Sequence, residues 1–254
     1  MHSLFPDWDA PAQIGALSTT RQGGVSAAPY DDGSGVGGLN LGSHVSDRLQ
    51  DVDANRNSLR RFLPASPIWL NQVHGSHVVN AAEVVPGVQA DAIIATQPGL
   101  VCAILTADCL PVLFCDAEGK VVGAAHAGWR GLAGEVLENT VASMRAAGAG
   151  ELMAWLGPAI GPNRFEVGAD VLAAFVDRDA QATRAFQAIS GSANKYLADI
   201  YALARLRLES VGVMHIYGGG YCTVSERRFY SYRRDGATGR MASLIWIKEN
   251  PVVA

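Results

Sequence analysis

The chain has 254 residues, of which 49% are hydrophobic and 17% charged, and this composition allows a large core. Its net charge of −4 and pI near 5.8 provide no basic surface for nucleic acid, so we expect no nucleic-acid partner. No apolar run approaches the ~20 residues that span a bilayer, and the first residues, MHSLFPDWDA, lack the pattern of a signal peptide. We therefore expect a cytoplasmic protein with no membrane partner.

The first half of the chain predicts strands, one helix and a long loop. Apolar runs predict strands at 13–19, 67–73, 91–95, 101–106 and 110–115. Residues 22–42 contain Pro29 and many glycines that prevent regular structure, so we expect a loop, and loops of this length are usually functional. The predicted helix that follows should be capped by Asp51 and ended by Pro64, and its apolar side should comprise Val52, Leu59 and Phe62.

The second half continues the alternation of strands and helices. Strands are predicted at 121–127, 151–156, 213–217 and 243–248, helices at 168–176 and 199–210, and a turn at 157–162. Helical spacing also predicts one helix from the apolar residues Leu132, Val136, Leu137, Val141 and Met144. No linker separates these elements, so we expect one domain over residues 1–254.

Three segments each place one metal-binding side chain in an apolar, strand-like setting: His74, Cys109 and His126. Taken singly, such a cysteine is more often a small buried hydrophobe, and a histidine beside glycine is often a turn residue. Together they resemble a catalytic zinc site, which has three protein ligands and a water, whereas structural zinc usually has four protein ligands. The other cysteines are too few and scattered for a disulfide framework, and Cys102 and Cys115 are expected in the core.

The segments NQVHG, TADC followed by PVLF, AHAGWRG, GPAIG and FYSYRRDG with TGRMA closely resemble the YfiH family. This family is also called the laccase-domain or multicopper polyphenol oxidoreductase family, and its members are interpreted as purine nucleoside phosphorylases and peptidoglycan editing factors. The resemblance runs from STTRQGG (18–24) to GRMASLIWI (239–247). It implies an α/β fold, a four-layer α/β/β/α sandwich with mixed sheets, and a zinc ion on His74, Cys109 and His126.

Candidate substrate-binding residues surround these motifs. Planar guanidinium groups are preferred phosphate ligands, although a single arginine usually forms a surface ion pair. Arg130 also opens a predicted helix, whose N-terminus would favour an anion. Asn40 is a candidate contact for a nucleoside, or else a turn residue. The arginine candidates are Arg21, Arg130, Arg233 and Arg234.

Asp108 directly precedes Cys109 and is a further catalytic candidate. Neighbouring side chains of an extended strand point to opposite faces, so Asp108 can line the same pocket only if the backbone bends there. A carboxylate beside a zinc site can orient a histidine ligand or accept a proton. The alternative is a turn-forming residue.

The resemblance implies phosphorolysis of adenosine, inosine, guanosine and methylthioadenosine, with adenosine deaminase activity. A zinc with three protein ligands lowers the pKa of its water toward ~7, which suits deamination, while phosphorolysis needs bound phosphate. Small-molecule partners are therefore expected, and the chain should be a monomer or a weak homodimer.

Three alternatives remain open. Copper is a less favoured metal, because a copper oxidase needs many histidines and the chain has six without a His-x-His pair. Cys109 and His126 could instead act without metal as nucleophile and base of a cysteine hydrolase, as in the similar fold of the cytotoxic necrotising factor deamidase domain. The peptidoglycan editing label would make a muropeptide precursor the substrate.

Overall fold

The computed structural model of the protein describes residues 2–85 and 87–249. Its strands are β1 Ser3–Leu4, β2 Ile14–Thr19, β3 Gln22–Ser26, β4 Pro67–Ile68, β5 Val78–Asn80, β6 Ala92–Ala95, β7 Val101–Thr106, β8 Leu110–Asp116, β9 Val122–Ala127, β10 Leu152–Leu156, β11 Glu166–Gly168, β12 Phe186–Ala188, β13 Lys195–Ala198, β14 His215–Gly218 and β15 Met241–Ile247. Its α-helices are α1 Leu49–Arg60, α2 Trp129–Ala133, α3 Val136–Ala146, α4 Ala169–Val176, α5 Ile200–Ser210 and α6 Tyr232–Asp235. Short 3-10 helices cover Ala81–Glu83 and Ala180–Ala185.

Two mixed sheets form the centre of the molecule. The five-stranded sheet has the order β1-β2-β15-β7-β4, and the six-stranded sheet has the order β14-β10-β8-β9-β6-β5. Three strand pairs at the sheet edges are parallel, namely β4 with β7, β5 with β6, and β14 with β10, while the other pairs of these two sheets are antiparallel. The expectation of mixed sheets is therefore confirmed.

Apolar side chains divide the molecule into four layers. Between the sheets, Ile104 of β7 and Ile245 of β15 share a buried cluster with Ile93 of β6. On the outer side of the five-stranded sheet, Leu59 of α1 packs in a cluster with strand residues that include Leu244. On the outer side of the six-stranded sheet, α2 to α5 contribute buried residues to a third cluster. This order of helix, sheet, sheet and helices confirms the predicted α/β/β/α sandwich.

Two predicted elements of the first half differ in the structure, the strand at 67–73 and the loop at 22–42. The strand predicted at 67–73 is reduced to β4, because the Gln72 side chain bonds to the backbone of Leu105 instead of continuing a ladder. Residues 22–26, predicted as loop, are extended as β3, with bridges from Gln22 and Ser26 to Gly38. Apart from Gly38, which forms these bridges, the rest of the Gly-rich stretch lacks helix and strand, as expected.

Helix α1 also differs from its prediction. Asp51 lies inside the first turn and pairs with Arg48 instead of capping the helix. The helix ends at Arg60, before Pro64, so Phe62 lies beyond it and is 58% exposed. The predicted apolar residues Val52 and Leu59 are buried.

The helix predicted from Leu132 to Met144 is two helices. Glu135 between α2 and α3 has a left-handed backbone with φ of 72°, which interrupts the helical hydrogen bonds. Its carboxylate pairs with Arg178. The apolar residues that predicted one helix are nevertheless all buried in one cluster, because both helices pack on the same sheet.

The remaining predicted elements are present within about two residues of their expected bounds, which is the usual uncertainty of helix and strand ends. The small sheet β11-β13-β12 was not predicted, because its strands are short and only two of their residues are buried, so they lack an apolar pattern. Cys102 and Cys115 are buried, as expected. Within the described ranges, no helix combines the length and the apolar character needed to cross a bilayer.

Candidate metal and active site

The structure brings His74, Cys109 and His126 together. Their ligand atoms all lie within 4.8 Å of one another, and Cys109 Sγ is 3.9 Å from His74 Nε2. In a tetrahedral zinc site with ordinary bond lengths, sulfur and nitrogen ligands are about 3.6 Å apart. The three side chains could therefore hold a small tetrahedral ion if their ligand atoms moved somewhat closer together than they lie here.

Strand register explains why residues distant in sequence meet here. Cys109 lies in the turn that carries the chain from β7 in one sheet to β8 in the other. Strand β8 then pairs with β9 so that Pro111 lies opposite His126, which places the start of β8 beside the end of β9. His74 reaches the same edge from the loop after β4, where its backbone has a positive φ of 61°. The site thus lies where both sheets meet.

Asp91 organises two of the three candidate ligands. Its buried carboxylate lies 2.8 Å from His126 Nδ1, so the other ring nitrogen, Nε2, remains available to a metal. The same carboxylate accepts hydrogen bonds from the backbone N–H groups of Val73, His74 and Gly75. A carboxylate behind a histidine ligand is the usual support of a protein metal site, and it sets the ring orientation.

The electrostatics of the cluster favour a thiolate. Burial alone would raise the pKa of Cys109, but the charge and hydrogen bonds of His126 and His74 outweigh it and lower the pKa from 9.0 to about 6. For His126, burial favours the neutral ring, yet Cys109 and Asp91 outweigh burial and raise the pKa from 6.5 to about 9. A thiolate is the form of cysteine that binds metals and also the form that acts as a nucleophile.

Gly128 allows the ligands to approach the start of α2. A Cβ atom at this position would lie 3.0 Å from Cys109 Sγ and 3.2 Å from the His74 ring carbon Cδ2. Both distances are tighter than ordinary contacts, so a larger residue would displace one of the ligands. The lack of space beside Cys109 and His74 therefore explains why this position of the AHAGWRG segment is a glycine.

Two cavities meet at the candidate ligands. They share a wall formed by His74, Ala107, Cys109 and Tyr232. Cavity A, of about 280 Å³, is completed by Asp108, Trp129, Arg130, Ile160, Phe165, Ile200 and Arg233. Cavity B, of about 410 Å³, is completed by His44, Gln72, Leu105, Thr106, His126 and Arg240. Cavity A is thus bounded by the aromatic rings of Trp129 and Phe165, whereas cavity B is lined by more polar side chains, among them His44, Gln72 and Arg240.

Asp108 lines cavity A because the backbone bends there. Its φ of 87° turns the chain between β7 and β8, which is the bend that the sequence required. The carboxylate accepts a hydrogen bond of 2.5 Å from the Thr223 hydroxyl and one of 2.7 Å from the backbone N–H of Arg233. Asp108 therefore joins this turn to the segment of α6.

Two of the four predicted arginines reach the site. Arg130 lies at cavity A with its guanidinium 4.5 Å from the centre of the Trp129 ring. Arg233 also lines cavity A, lies over Phe165 at 5.9 Å, and donates to a backbone carbonyl of β11. Both residues are exposed at the surface of the molecule.

The other predicted substrate contacts are not brought to the cavities. Arg21 is buried, bonds to Asp31 and stacks on Tyr230. Arg234 donates to backbone carbonyls and to Asp235, and Asn40 is fully buried in hydrogen bonds with neighbouring loops. Each side chain thus uses its polar atoms inside the protein.

Four residues of the site were missing from the sequence prediction: His44, Asp91, Tyr232 and Arg240. Tyr232 and Arg240 lie within the quoted FYSYRRDG and TGRMA segments, so the motif contained a signal for them. Asp91 carried a weaker signal, a single carboxylate directly before an apolar strand. His44 lies in the long loop, where sequence alone does not indicate its position.

Comparisons with known proteins agree with this fold and show the family. Residues 15–248 match the family described as multi-copper polyphenol oxidoreductase laccase. A Pseudomonas aeruginosa protein named purine nucleoside phosphorylase is 53% identical, over 97% of this chain and 98% of its own length. The Escherichia coli protein named purine nucleoside phosphorylase YfiH is 51% identical, over 96% of this chain and 98% of its own length.

Solved structures give the same result. The crystal structure of Neisseria meningitidis protein NMB0706 has a TM-score of 0.89 and 50% sequence identity, and covers 98% of this chain and 100% of its own. A Bacillus licheniformis hypothetical protein YfiH has a TM-score of 0.84 and 30% identity over 93% of each chain. The chain therefore belongs to the multi-copper polyphenol oxidoreductase laccase family, which includes the YfiH proteins.

Proposed function

We propose that this chain is a zinc-dependent purine nucleoside phosphorylase that acts on adenosine, inosine, guanosine and methylthioadenosine, with a second activity as an adenosine deaminase. The observation that carries the proposal is the His74, Cys109 and His126 cluster, supported by Asp91 and placed between two cavities. The names of the relatives support the phosphorylase chemistry. Purine nucleosides and phosphate are the proposed small-molecule partners.

The candidate ligands would hold the metal through Cys109 Sγ, His74 Nε2 and His126 Nε2. Zinc, when bound, supplies a Lewis acid for charge that develops in the transition state and for the activation of water. Asp91 keeps His126 in the required orientation and fixes the backbone on both sides of His74. Copper is a less favoured metal here, since the described cluster offers only these three ligands.

Phosphorolysis requires the cavities to bind phosphate and nucleoside in a defined arrangement. A phosphate oxygen bonds to C1′ of the ribose while the C1′–N9 bond breaks, and the bonding electrons leave with the purine, which then takes up a proton. The protein must hold both substrates in line and stabilise the developing charge. The aromatic walls of cavity A suit a purine, and Arg130 and Arg233 at the surface of that cavity are proposed to contact the nucleoside.

Asp108 is proposed to position the site. Its carboxylate is already held by Thr223 and by the backbone of Arg233, which fixes the turn before Cys109. The same hydrogen bonds hold α6, and with it Tyr232, against the shared wall of the cavities. We therefore assign Asp108 to support of the site instead of proton transfer.

The requirement for phosphate tests the proposed function. Inosine should give hypoxanthine and ribose 1-phosphate only when inorganic phosphate is present. Adenosine deamination should continue without phosphate, because its nucleophile is water. Both can be followed by chromatography of the same reaction mixtures. Equal release of base from inosine in phosphate-free buffer would show a hydrolase and contradict the phosphorylase proposal.

A cysteine hydrolase is the second candidate, and one observation favours it. The pKa values of Cys109, about 6, and His126, about 9, describe a thiolate and imidazolium pair, which is the form of a cysteine nucleophile and its base. Asp91 would then orient His126 as the third member of a catalytic triad. His74 has no required role in this mechanism.

Paired variants separate the two candidates. In a zinc enzyme, His74→Ala and Cys109→Ala should both lower the metal content sharply and both lose activity, because each removes one of three ligands. In a cysteine hydrolase, His74→Ala should keep near-normal turnover while Cys109→Ala is inactive. Elemental analysis of the purified protein, expected to show about one zinc per chain, and mass spectrometry for a covalent intermediate complete the test.

A further inference from the structure

Arg240 is the most enclosed cation that faces the candidate ligands. It lines cavity B together with His126 and Cys109, and only part of its surface is exposed. Burial lowers its pKa, although the nearby Cys109 and Asp108 oppose this effect. Among the described residues, no carboxylate forms an ion pair with its guanidinium. A partly desolvated cation that forms no ion pair with a carboxylate favours an anionic ligand.

The surrounding backbone holds Arg240 in place and leaves part of its guanidinium available. Nη1 donates to the carbonyls of Thr238 and Gly239, each at 3.0 Å. The backbone N–H of Arg240 donates to Asn40 Oδ1 at 2.8 Å, and Gly42 packs against its Cβ and Cγ atoms. Nε and Nη2 make no hydrogen bond to the described residues, and together they form the planar pair of donors that matches two phosphate oxygens.

The arginines of cavity A are less suited to this role. Arg130 and Arg233 are exposed, so bulk water screens their charge, and both lie over aromatic rings. The walls around them are largely apolar, which suits a flat purine better than a dianion. Cavity B instead offers His44, Tyr232 and Arg240 as polar groups beside the same shared wall.

We infer that cavity B is the phosphate subsite and that Arg240 is its principal ligand, while the purine occupies cavity A. This inference rests on the proposed phosphorylase function and assigns its two substrates to separate cavities. Because His74, Cys109 and Tyr232 line both cavities, a phosphate in cavity B and a base in cavity A would both lie beside the candidate ligands, and C1′ of the ribose would have to lie between them for an in-line displacement. Asn40 and Gly42 then act as positioning residues, because they hold Arg240 without lining either cavity.

Steady-state kinetics of the metal-loaded, full-length protein test the inference. Arg240→Gln should raise the KM for inorganic phosphate by about 10- to 100-fold, the loss expected for a charge-assisted pair of hydrogen bonds, and change the KM for inosine far less. Arg240→Lys keeps the charge but loses the planar pair of donors, so its effect should be intermediate. Gly42→Ala places a Cβ 2.7 Å from Arg240 Cγ and should raise the same KM without removing the charge.

Two further variants test whether the effect on the KM for phosphate is specific to Arg240. Arg130→Gln should raise the KM for inosine more than the KM for phosphate, and Arg184→Gln, an exposed arginine outside both cavities, should change neither. Zinc content and thermal unfolding are measured for every variant, so that a misfolded protein is recognised. If Arg130→Gln raises the KM for phosphate and Arg240→Gln does not, the assignment of the subsite is overturned.

A second measurement keeps this inference separate from the proposed function. Binding of inorganic phosphate to the wild type and to Arg240→Gln is measured by calorimetry, with no nucleoside present. Loss of binding in the variant supports the subsite even if the wild type shows no phosphorolysis, a result that would contradict only the proposed function. Equal binding by the two proteins would overturn the subsite whatever the enzyme activity.

Discussion

A single carboxylate, that of Asp91, connects two of the three candidate metal ligands. It bonds to His126 Nδ1 and to three consecutive backbone N–H groups around His74, and it is fully buried. Burial would raise its pKa, but these bonds and the charge of His126 outweigh burial and lower the pKa below 3.8. Asp91 therefore stays ionised at neutral pH, and its four bonds give the cluster a fixed geometry before any metal binds.

The pH dependence of Cys109 alkylation is a prediction about one side chain. In the metal-stripped protein, the thiolate fraction should rise as the pH passes through about 6, because the pKa of Cys109 lies there instead of at 9.0. Iodoacetamide should then modify Cys109 rapidly at pH 7, and peptide mass spectrometry reports the rate at this cysteine alone. Zinc loading should slow the reaction, because the metal shields the sulfur.

His126→Ala supplies the control for this measurement. It removes the main cause of the lowered pKa, so the midpoint of alkylation should move up toward 9. A wild-type midpoint that already lies near 9 would contradict the thiolate and imidazolium pair. Cys102 should stay unmodified in both proteins, because it is buried and its pKa is raised to about 12.

Junctions between strands and helices place the ligands. The turn at Asp108 carries the chain from one sheet to the other, and the junction of β9 with α2 follows His126. Both junctions depend on unusual local backbone or on a missing side chain: Asp108 has a positive φ, and Gly128 leaves room for two ligands. We therefore expect packing at these junctions, and not only the three candidate ligands, to influence metal affinity.

Gly128→Ala tests the junction of β9 with α2. The added Cβ would press on Cys109 Sγ and the His74 ring, so zinc affinity should fall about 10-fold or more although all three ligands remain, an effect comparable to loss of an outer-shell partner. Competition with a chelator measures the affinity. Gly150→Ala is the matched control, since nothing lies within 4 Å of its added Cβ. Unchanged affinity in Gly128→Ala would show that the ligands are not closely constrained.

The layered core holds the whole structure together. The cluster between the two sheets joins residues of β6, β7, β8, β9, β10 and β15, so neither sheet can lose its partner without exposing apolar surface. The site lies where these sheets meet, and its ligands come from loops and strand ends that the core supports. Global stability and site geometry should consequently be coupled.

Leu113→Ala tests this coupling. Leu113 is fully buried between the sheets, and its truncation should lower the free energy of unfolding by about 2–5 kcal/mol. Denaturant unfolding should remain one cooperative transition, as expected for one domain, with metal release in the same transition. Leu49→Ala, at a position 61% exposed, should change stability by about 0.5 kcal/mol or less. Two separated transitions would contradict the prediction of a single domain.

Apolar patterning by itself determined most of the elements, and the motifs determined the family and the three candidate ligands. Apolar patterns predict elements well because the buried positions of a strand or helix recur with the period of that element. Strands β7, β8 and β9 were accordingly predicted almost to their ends. It failed in two places: after Ile68, where the Gln72 side chain bonds to the backbone of Leu105 in place of a strand ladder, and at Glu135, which divides a predicted helix. Such contacts leave no periodic trace in the sequence.

Only the tertiary structure decided which polar residues share the site. Arg21, Arg130 and Arg234 look equivalent in the sequence, yet Arg130 alone of these reaches a cavity, because the other two satisfy carbonyl and carboxylate groups inside the fold. The roles of Asp91 and Arg240 depend on neighbours that lie far away along the chain. The physical reason is that hydrogen-bond partners and desolvation depend on contacts between distant segments, whereas sequence patterns report local periodicity.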